Sequence, residues 1–165
     1  MQPLQLDNRL ERIGQHIVRA RLFLDLWLYF EEKDSRRKII DTMREFNEFF
    51  RFTPRAYLTA YVIYTAGVFD KSRGTISLPS LIRDVKATGH LKGQDATTVN
   101  ALLAKAAPLA GQVAILRHKA FAHRSADISY DDVFKIAAVK PKQLRELTDV
   151  ALAVCGKTLA NARVC

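Results

Sequence analysis

The apolar residues at the start of the chain recur in alternating steps of four and three. An α-helix places such positions on one face, whereas a strand would require strict alternation. The spacing therefore predicts a long opening helix with a buried stripe, and Leu22, Phe23, Leu26 and Leu28 predict burial on two sides near its end. A zipper with a partner helix would give the same pattern, but core packing is the better interpretation. The stripe consists of Leu6, Leu10, Ile13, Ile17, Ala20, Leu24 and Trp27.

Capping residues, prolines and glycines divide the rest of the chain into further helices. No segment alternates long enough to predict a strand, and ISL at 76–78 and VFKIAAV at 133–139 are weak candidates. We therefore expect one all-α domain over residues 1–165, a helical bundle of about five to six helices. The second helix is predicted to start at Asp34 or Ser35, the third to run from Thr53–Pro54 to about Phe69, and the fourth from Ser77 or Ser80 to Gly89. A long helix is predicted from Asp95–Ala96 to about Ala122, with a kink or break at Pro108. A short helix that ends at Ala137 and a last helix that starts at Lys140–Pro141 follow it.

Two sequence features bear on the cellular compartment. The longest uncharged stretch, AYLTAYVIYTAGVF at 56–69, is shorter than the roughly 20 residues that span a bilayer, so we expect a buried core helix and no membrane partner. Cys155 and Cys165 have neither CxxC nor Cys/His ligand spacing, which argues against a zinc site and a disulfide framework. A cytoplasmic, reducing location without a cofactor or metal is expected.

The charge of the chain is strongly basic. Lys and Arg total 26 against 17 Asp and Glu, which gives a formal net charge of +9. A surface of this sign favours polyanionic partners, RNA and DNA first among them, although evenly spread charge would serve solubility alone. Because no helix-turn-helix recognition pattern stands out, a DNA-binding regulator is the weaker expectation.

The segment ILRHKAFAHRS, from position 115, places two of the four histidines beside two arginines and a lysine. Histidine transfers protons near neutral pH, and arginine binds phosphate oxygens through its planar guanidinium. These groups can cleave RNA without metal, because histidine takes the proton from a ribose 2′-hydroxyl that attacks the adjacent phosphate, where arginine stabilises the charge. On an intact α-helix Arg117 and His123 would lie about 120° apart around the axis and ~9 Å apart along it, so one helix does not aim both at one point. A long arginine side chain with fraying before His123, or a symmetric dimer in which two helix ends face each other, could build the site.

Arg117, the polar His118, the small Ala122 and His123 resemble the R-x4-6-H motif of the HEPN superfamily, which more often has Asn at the position of His118. The bare spacing is unspecific, since two other Arg–His pairs also fit it. Only RHKAFAH combines a polar residue after Arg, a small residue before His and a place late in the chain. The segment from FFRFTPR to SLPSLIRDV also resembles abortive-infection-type HEPN proteins, and together these similarities cover most of 46–155. The two other pairs are Arg9–His16 and Arg83–His90.

The resemblance implies a metal-independent endoribonuclease that leaves 2′,3′-cyclic phosphate and 5′-hydroxyl ends. It further implies a homodimer that acts on RNA in phage defence or as part of a toxin–antitoxin pair, with an antitoxin or defence partner protein. The alternative is a non-catalytic HEPN-like module that binds a nucleotide, an RNA or a protein, because folds of this kind often lose or exchange their activity.

The same resemblance assigns roles to individual residues. Arg117 and His123 are candidate catalytic residues at a dimer interface. His118 is a third candidate, although it could instead hydrogen-bond His123 or hold the helix end. The candidate RNA-binding residues are Lys119, Arg124 and Arg73, of which Arg73 belongs to a polar turn with Asp70 and Ser72 that could approach the site.

Overall fold

The computed structural model describes residues 5–72, 74–122, 132, 135 and 137–162, with the backbone alone at 120–122 and 162. The described residues are helical outside short connections and contain no strand, which confirms the all-α prediction; neither weak strand candidate forms one in its described part. Asp132, Lys135 and Ala137 are helical, in the region where a short helix was predicted. The remaining elements are α1 (Leu6–Glu31), α2 (Lys33–Glu45), α3 (Asn47–Val68), α4 (Leu78–Ala87), α5 (Gly93–Leu116), a π-helix (Arg117–Ala122) and α6 (Pro141–Ala162).

The predicted stripe of α1 forms the centre of the core. Its members from Leu10 to Leu24 are at most 1% exposed, and Leu28 joins them. The prediction of burial on two sides is wrong for Leu22, which is 56% exposed. Leu22 lies two positions from Leu24 and therefore on a different side of the helix from the stripe.

Helix α3 packs along α1 in the opposite direction. A series of aromatic rings lines the contact and includes stacked and edge-to-face pairs, the geometries that aromatic side chains prefer. On the other side of α1, Arg21 forms an ion pair with Asp149 of α6. The ring pairs are His16–Tyr64, Phe23–Tyr64, Phe23–Tyr57, Phe30–Tyr57 and Phe30–Phe50.

The boundaries between α1, α2 and α3 differ from the predicted ones. Only Glu32 leaves the helical conformation after α1, so α2 begins at Lys33, before the predicted caps. The next break lies at Phe46 (φ −107°, ψ 47°), and Pro54 is buried inside α3 instead of starting it. Because the chain has already turned at Phe46, Thr53 is left within a helix.

The predictions for the later helices are closer. Ser77 caps α4 as expected, since its Oγ accepts a hydrogen bond from the Ser80 N–H at 3.4 Å. Gly89 follows α4 with φ +77°, a backbone conformation that suits glycine. Helix α5 starts at Gly93, two residues before Asp95, and continues through Pro108 without a break. Helix α6 starts at Pro141, as predicted.

One buried polar contact ties α3 to α6 inside the core. Tyr61 is fully buried, and its hydroxyl donates a hydrogen bond to the Leu144 carbonyl at 2.9 Å. Thr148 donates to the same carbonyl at 2.9 Å. Burial raises the pKa of the Tyr61 phenol, so the group stays neutral and keeps donating.

Candidate functional site

The end of α5 borders a groove of about 550 Å³, called the motif groove below. Helix α5 forms one wall, mainly through small residues, and the opposite wall comes from the end of α3, the loop after it and the start of α4. The groove is apolar along most of its length. Its charged and polar side chains are those of Asp70, Lys71, Arg117 and His118.

Arg117 and His118 open a π-helix, where a continuous α-helix was predicted up to about Ala122. A π-helix pairs each residue with the fifth one along, and such segments are frequent at functional sites. The angle of about 120° between Arg117 and His123 assumed α-helical winding, so it does not apply to this segment.

Asp70 faces the two motif residues from the loop after α3. Its Oδ1 accepts a hydrogen bond from the Ser72 backbone N–H at 2.8 Å. Hydrogen bonds from Ser72, and secondarily the charges of Arg117 and His118, hold the pKa of the Asp70 carboxyl below its usual value. Asp70 is therefore ionised at neutral pH, next to the basic end of the groove. In this turn, Asp70 lines the same groove as Arg117 and His118.

The other predicted site residues are placed as follows. Arg117 is half-buried and His118 exposed, and both line the motif groove. Lys119 is exposed and does not line it. The predicted catalytic His123 and the predicted RNA contacts Arg124 and Arg73 lie outside the described residues, as does Cys165.

Sequence reasoning missed Lys71 and Phe69 as groove residues. Both flank Asp70, which had been singled out, so the turn itself was the available signal. Pro79 was also missed, because nothing in the sequence indicates that the start of α4 comes close to α5.

The structure separates the motif from the first of its sequence rivals. Arg9 binds Asp84 at 2.6 Å and Ser80 Oγ at 3.1 Å, so it joins α1 to α4. His16 packs edge-on against Tyr64. Burial, followed by the charges of Arg19 and Arg12, lowers the pKa of His16. The Arg9–His16 pair therefore serves packing between helices.

Helix α5 also has an outer stripe, defined by Ala101, Pro108 and Ile115, which are seven positions apart and share one side of the helix. Ala101 and Pro108 are exposed and Ile115 is half-buried. By length and composition alone, residues 93–119 could cross a membrane, and 22% of the apolar window is buried in the chain. This is weak evidence for a membrane, but it identifies an uncovered apolar surface beside the motif groove.

A bundle of this kind, with an Arg–His motif late in the chain, is the architecture of a HEPN domain. The family model described as AbiU2, a HEPN family, matches residues 4–162, so the chain belongs to the AbiU2 family of abortive-infection-type HEPN domains. No curated protein and no solved structure matches the chain. Within the described part of the chain, no group of three or more His, Cys, Asp or Glu side chains is placed to hold a metal ion.

Proposed function

We propose that this HEPN domain is a metal-independent endoribonuclease that acts in phage defence or as the toxic member of a toxin–antitoxin pair. The observation that carries the proposal is the position of Arg117, which lines a groove of about 550 Å³ at the end of α5 with His118 beside it. An arginine there can bind a phosphate of RNA and stabilise the charge that develops on it.

The reaction requires two proton transfers. One histidine takes the proton from a 2′-hydroxyl, whose oxygen then attacks the adjacent phosphorus. The bond to the 5′-oxygen breaks, and a second acid returns a proton to that oxygen. His123 of each copy in a homodimer supplies these two roles, and the products are a 2′,3′-cyclic phosphate and a 5′-hydroxyl.

The outer stripe of α5 supports the homodimer. Its exposed side chains are small and uncharged, so a second α5 can approach closely without burying an unpaired charge. Since a twofold contact brings the same surface of both chains together, it places two copies of the motif groove near one seam.

Cleavage of total RNA and tRNA in EDTA tests the nuclease. We expect Arg117→Ala to lower the rate on the order of 10²–10³-fold and His123→Ala on the order of 10²–10⁴-fold. Arg83→Ala and His90→Ala are matched controls, because they remove the same residue types at a rival spacing. End-group analysis should find cyclic phosphates. Equal rates in motif variants and controls would show that the motif does not carry the cleavage.

The motif groove by itself favours a second candidate function, a non-catalytic module that binds a nucleotide or RNA. An apolar cavity with a few convergent polar groups is the usual form of a ligand site. A folded protein that binds RNA through Arg117 and leaves it intact would support this candidate.

A further inference from the structure

The proposed nuclease uses the end of the motif groove that holds Arg117 and His118 and gives no role to the apolar remainder. In that remainder α5 presents Ala107, Gly111 and Ala114, and Phe69 lies on the opposite wall. No side chain larger than a methyl group projects from those three α5 positions, which leaves space for a flat ring. The volume of about 550 Å³ is within the roughly 300–1,000 Å³ of small-molecule sites.

The charged residues of the groove are of both signs. Lys71 and Arg117 attract a phosphate, whereas the Asp70 carboxylate repels it. A site for phosphate alone would gain nothing from Asp70. A ligand that carries hydrogen-bond donors as well as an anionic group would gain from it.

Asp70 is held in a position to accept such hydrogen bonds. The Ser72 N–H donates to Oδ1 at 2.8 Å, and the Ser72 side chain also hydrogen-bonds the carboxylate. Because a carboxylate has about four acceptor positions, about two remain for a ligand. An ionised carboxylate has no proton to donate. It therefore selects a partner that presents donors only.

We propose that the motif groove binds a guanine nucleotide of the RNA, with the base between Phe69 and α5, its donor edge against the Asp70 carboxylate, and a phosphate against Arg117. Guanine presents two neighbouring donors, N1–H and the N2 amino group, which match the two carboxylate oxygens. Uracil presents one N–H between two carbonyl groups, and a carboxylate repels the oxygens of those carbonyl groups. This inference takes the contact between Arg117 and a phosphate from the proposed function and therefore rests on it. It predicts that the enzyme cleaves RNA selectively beside guanine.

Mononucleotide binding tests the inference without requiring catalysis. The full-length protein is titrated in EDTA with the 5′-monophosphates of guanosine, adenosine, cytidine and uridine, and binding is measured by calorimetry. We expect guanosine monophosphate to bind on the order of tenfold more tightly than uridine monophosphate, as one good bidentate contact provides. Equal affinities for the four nucleotides, or no binding of any, would overturn the inference.

Asp70→Asn tests the role assigned to the carboxylate. The amide can still accept the Ser72 N–H, but it presents one acceptor and one donor to the base. We expect the guanine preference to disappear, with uridine monophosphate binding unchanged or tighter. Asp41→Asn is the control for the loss of one negative charge, because the Asp41 side chain is 91% exposed on α2. A guanine preference that survives in Asp70→Asn would refute this role.

Gly111→Leu tests the place of binding. A Cβ on Gly111 meets no atom within 4 Å, so the leucine can enter the groove without straining the fold. Gly156→Leu, on α6 and equally unobstructed, is the matched control. We expect only Gly111→Leu to abolish binding of all four nucleotides, with the mass of the assembly unchanged. Loss of binding together with a change in mass would mean that a second copy occupies the groove, and the inference would fall.

Mapping cleavage sites in RNA separates this inference from the nuclease proposal. Cleavage beside guanine in the wild type, and beside any base in Asp70→Asn, would support both and identify RNA as the source of the nucleotide. Motif-dependent cleavage without base preference would refute the guanine site and leave the nuclease intact. Selective binding of guanosine monophosphate by a protein that cleaves no RNA would refute the nuclease and retain the guanine site for a free nucleotide.

Discussion

Helices α3 and α5 are both long and apolar, but they differ in what their apolar surfaces contact. The uncharged stretch of α3 places Leu58, Tyr61, Val62, Ala66 and Val68 in the core. Helix α5 is rich in alanine and other apolar residues, yet its buried residues are four in number: Val99, Ala106, Val113 and Leu116. Mean apolarity therefore does not decide burial in this chain.

The size of the side chains accounts for the difference. The buried residues of α3 are mainly large and gain hydrophobic stabilisation in proportion to the area they remove from water. The exposed residues of α5 are largely alanine, glycine and proline, which expose little apolar area each. Helix α3 is thus used for stability, and we infer that α5 keeps one side for the motif groove and another for a second copy.

The largest effect that tests this contrast is expected in α3. Tyr61→Ala removes a fully buried ring and its hydrogen bond to Leu144, so it should lower the free energy of unfolding by about 3–5 kcal/mol. Ile63→Ala, two positions away and 50% exposed, should cost under about 1 kcal/mol. Urea denaturation measures both. Similar losses in the two variants would contradict the division of α3 into a core side and a solvent side.

The second prediction concerns α5. Ala101→Glu places a charge on the outer stripe, and we expect the homodimer to dissociate while the free energy of unfolding per chain changes by about 0.5 kcal/mol or less. Ala56→Glu on α3 is the matched control, since Ala56 is also an exposed alanine of a long helix. Light scattering reports the mass. A wild-type chain that is already monomeric, or an Ala101→Glu chain that stays dimeric, would remove the role given to the outer stripe.

The third prediction concerns the wall of the groove opposite α5. Ser77→Ala removes the cap of α4 and should cost about 1 kcal/mol, within a range of roughly 0.5–2 kcal/mol. Ser35→Ala is the control, because the Ser35 hydroxyl donates to the Glu32 carbonyl and satisfies no N–H of its helix. Equal costs in thermal unfolding would mean that the hydrogen bond at 3.4 Å contributes nothing as a cap.

The sequence was sufficient for features that depend on local chemistry. The stripe from Leu10 to Leu24 and the cap at Ser77 follow from periodicity and from hydrogen bonding within one turn, and both are confirmed. The break near Pro54 was wrong, because a proline signal can be overruled by a turn elsewhere, here at Phe46. The kink or break predicted at Pro108 does not form either, since α5 continues through it.

The candidate site was less predictable, because the distances that define it join residues far apart in the chain. Arg117 and His118 could be selected from the motif, and Asp70 was considered only as part of a polar turn. No local pattern shows that the loop after α3 faces the end of α5. Pro79 was missed for this reason, whereas Lys71 adjoins the polar turn and could have been selected with it. The change from α- to π-helix at Arg117 has no evident sequence signal either.

The smallest expected effect concerns Asp70, which follows α3 and faces the end of α5. Its folded pKa lies below the usual value of 3.8. The stabilisation that this shift represents is therefore present above pH ~4 and is lost as the pH falls through the folded pKa. Asp70→Asn should be less stable than the wild type at neutral pH by under about 1 kcal/mol, and the two should converge in acid.

Urea midpoints measured between about pH 7 and pH 2.5 test this sign, with Asp41→Asn as the control for net charge. Convergence confined to Asp70→Asn would show that the ionised carboxylate, held by Ser72 and by the motif residues, contributes to joining α3 to the end of α5. A difference that widens in acid would mean that the neutral form is the one the fold prefers. Asp70 would then be protonated more readily than the guanine site requires. The selectivity of that site for guanine would be lost, together with the electrostatic link between α3 and the end of α5.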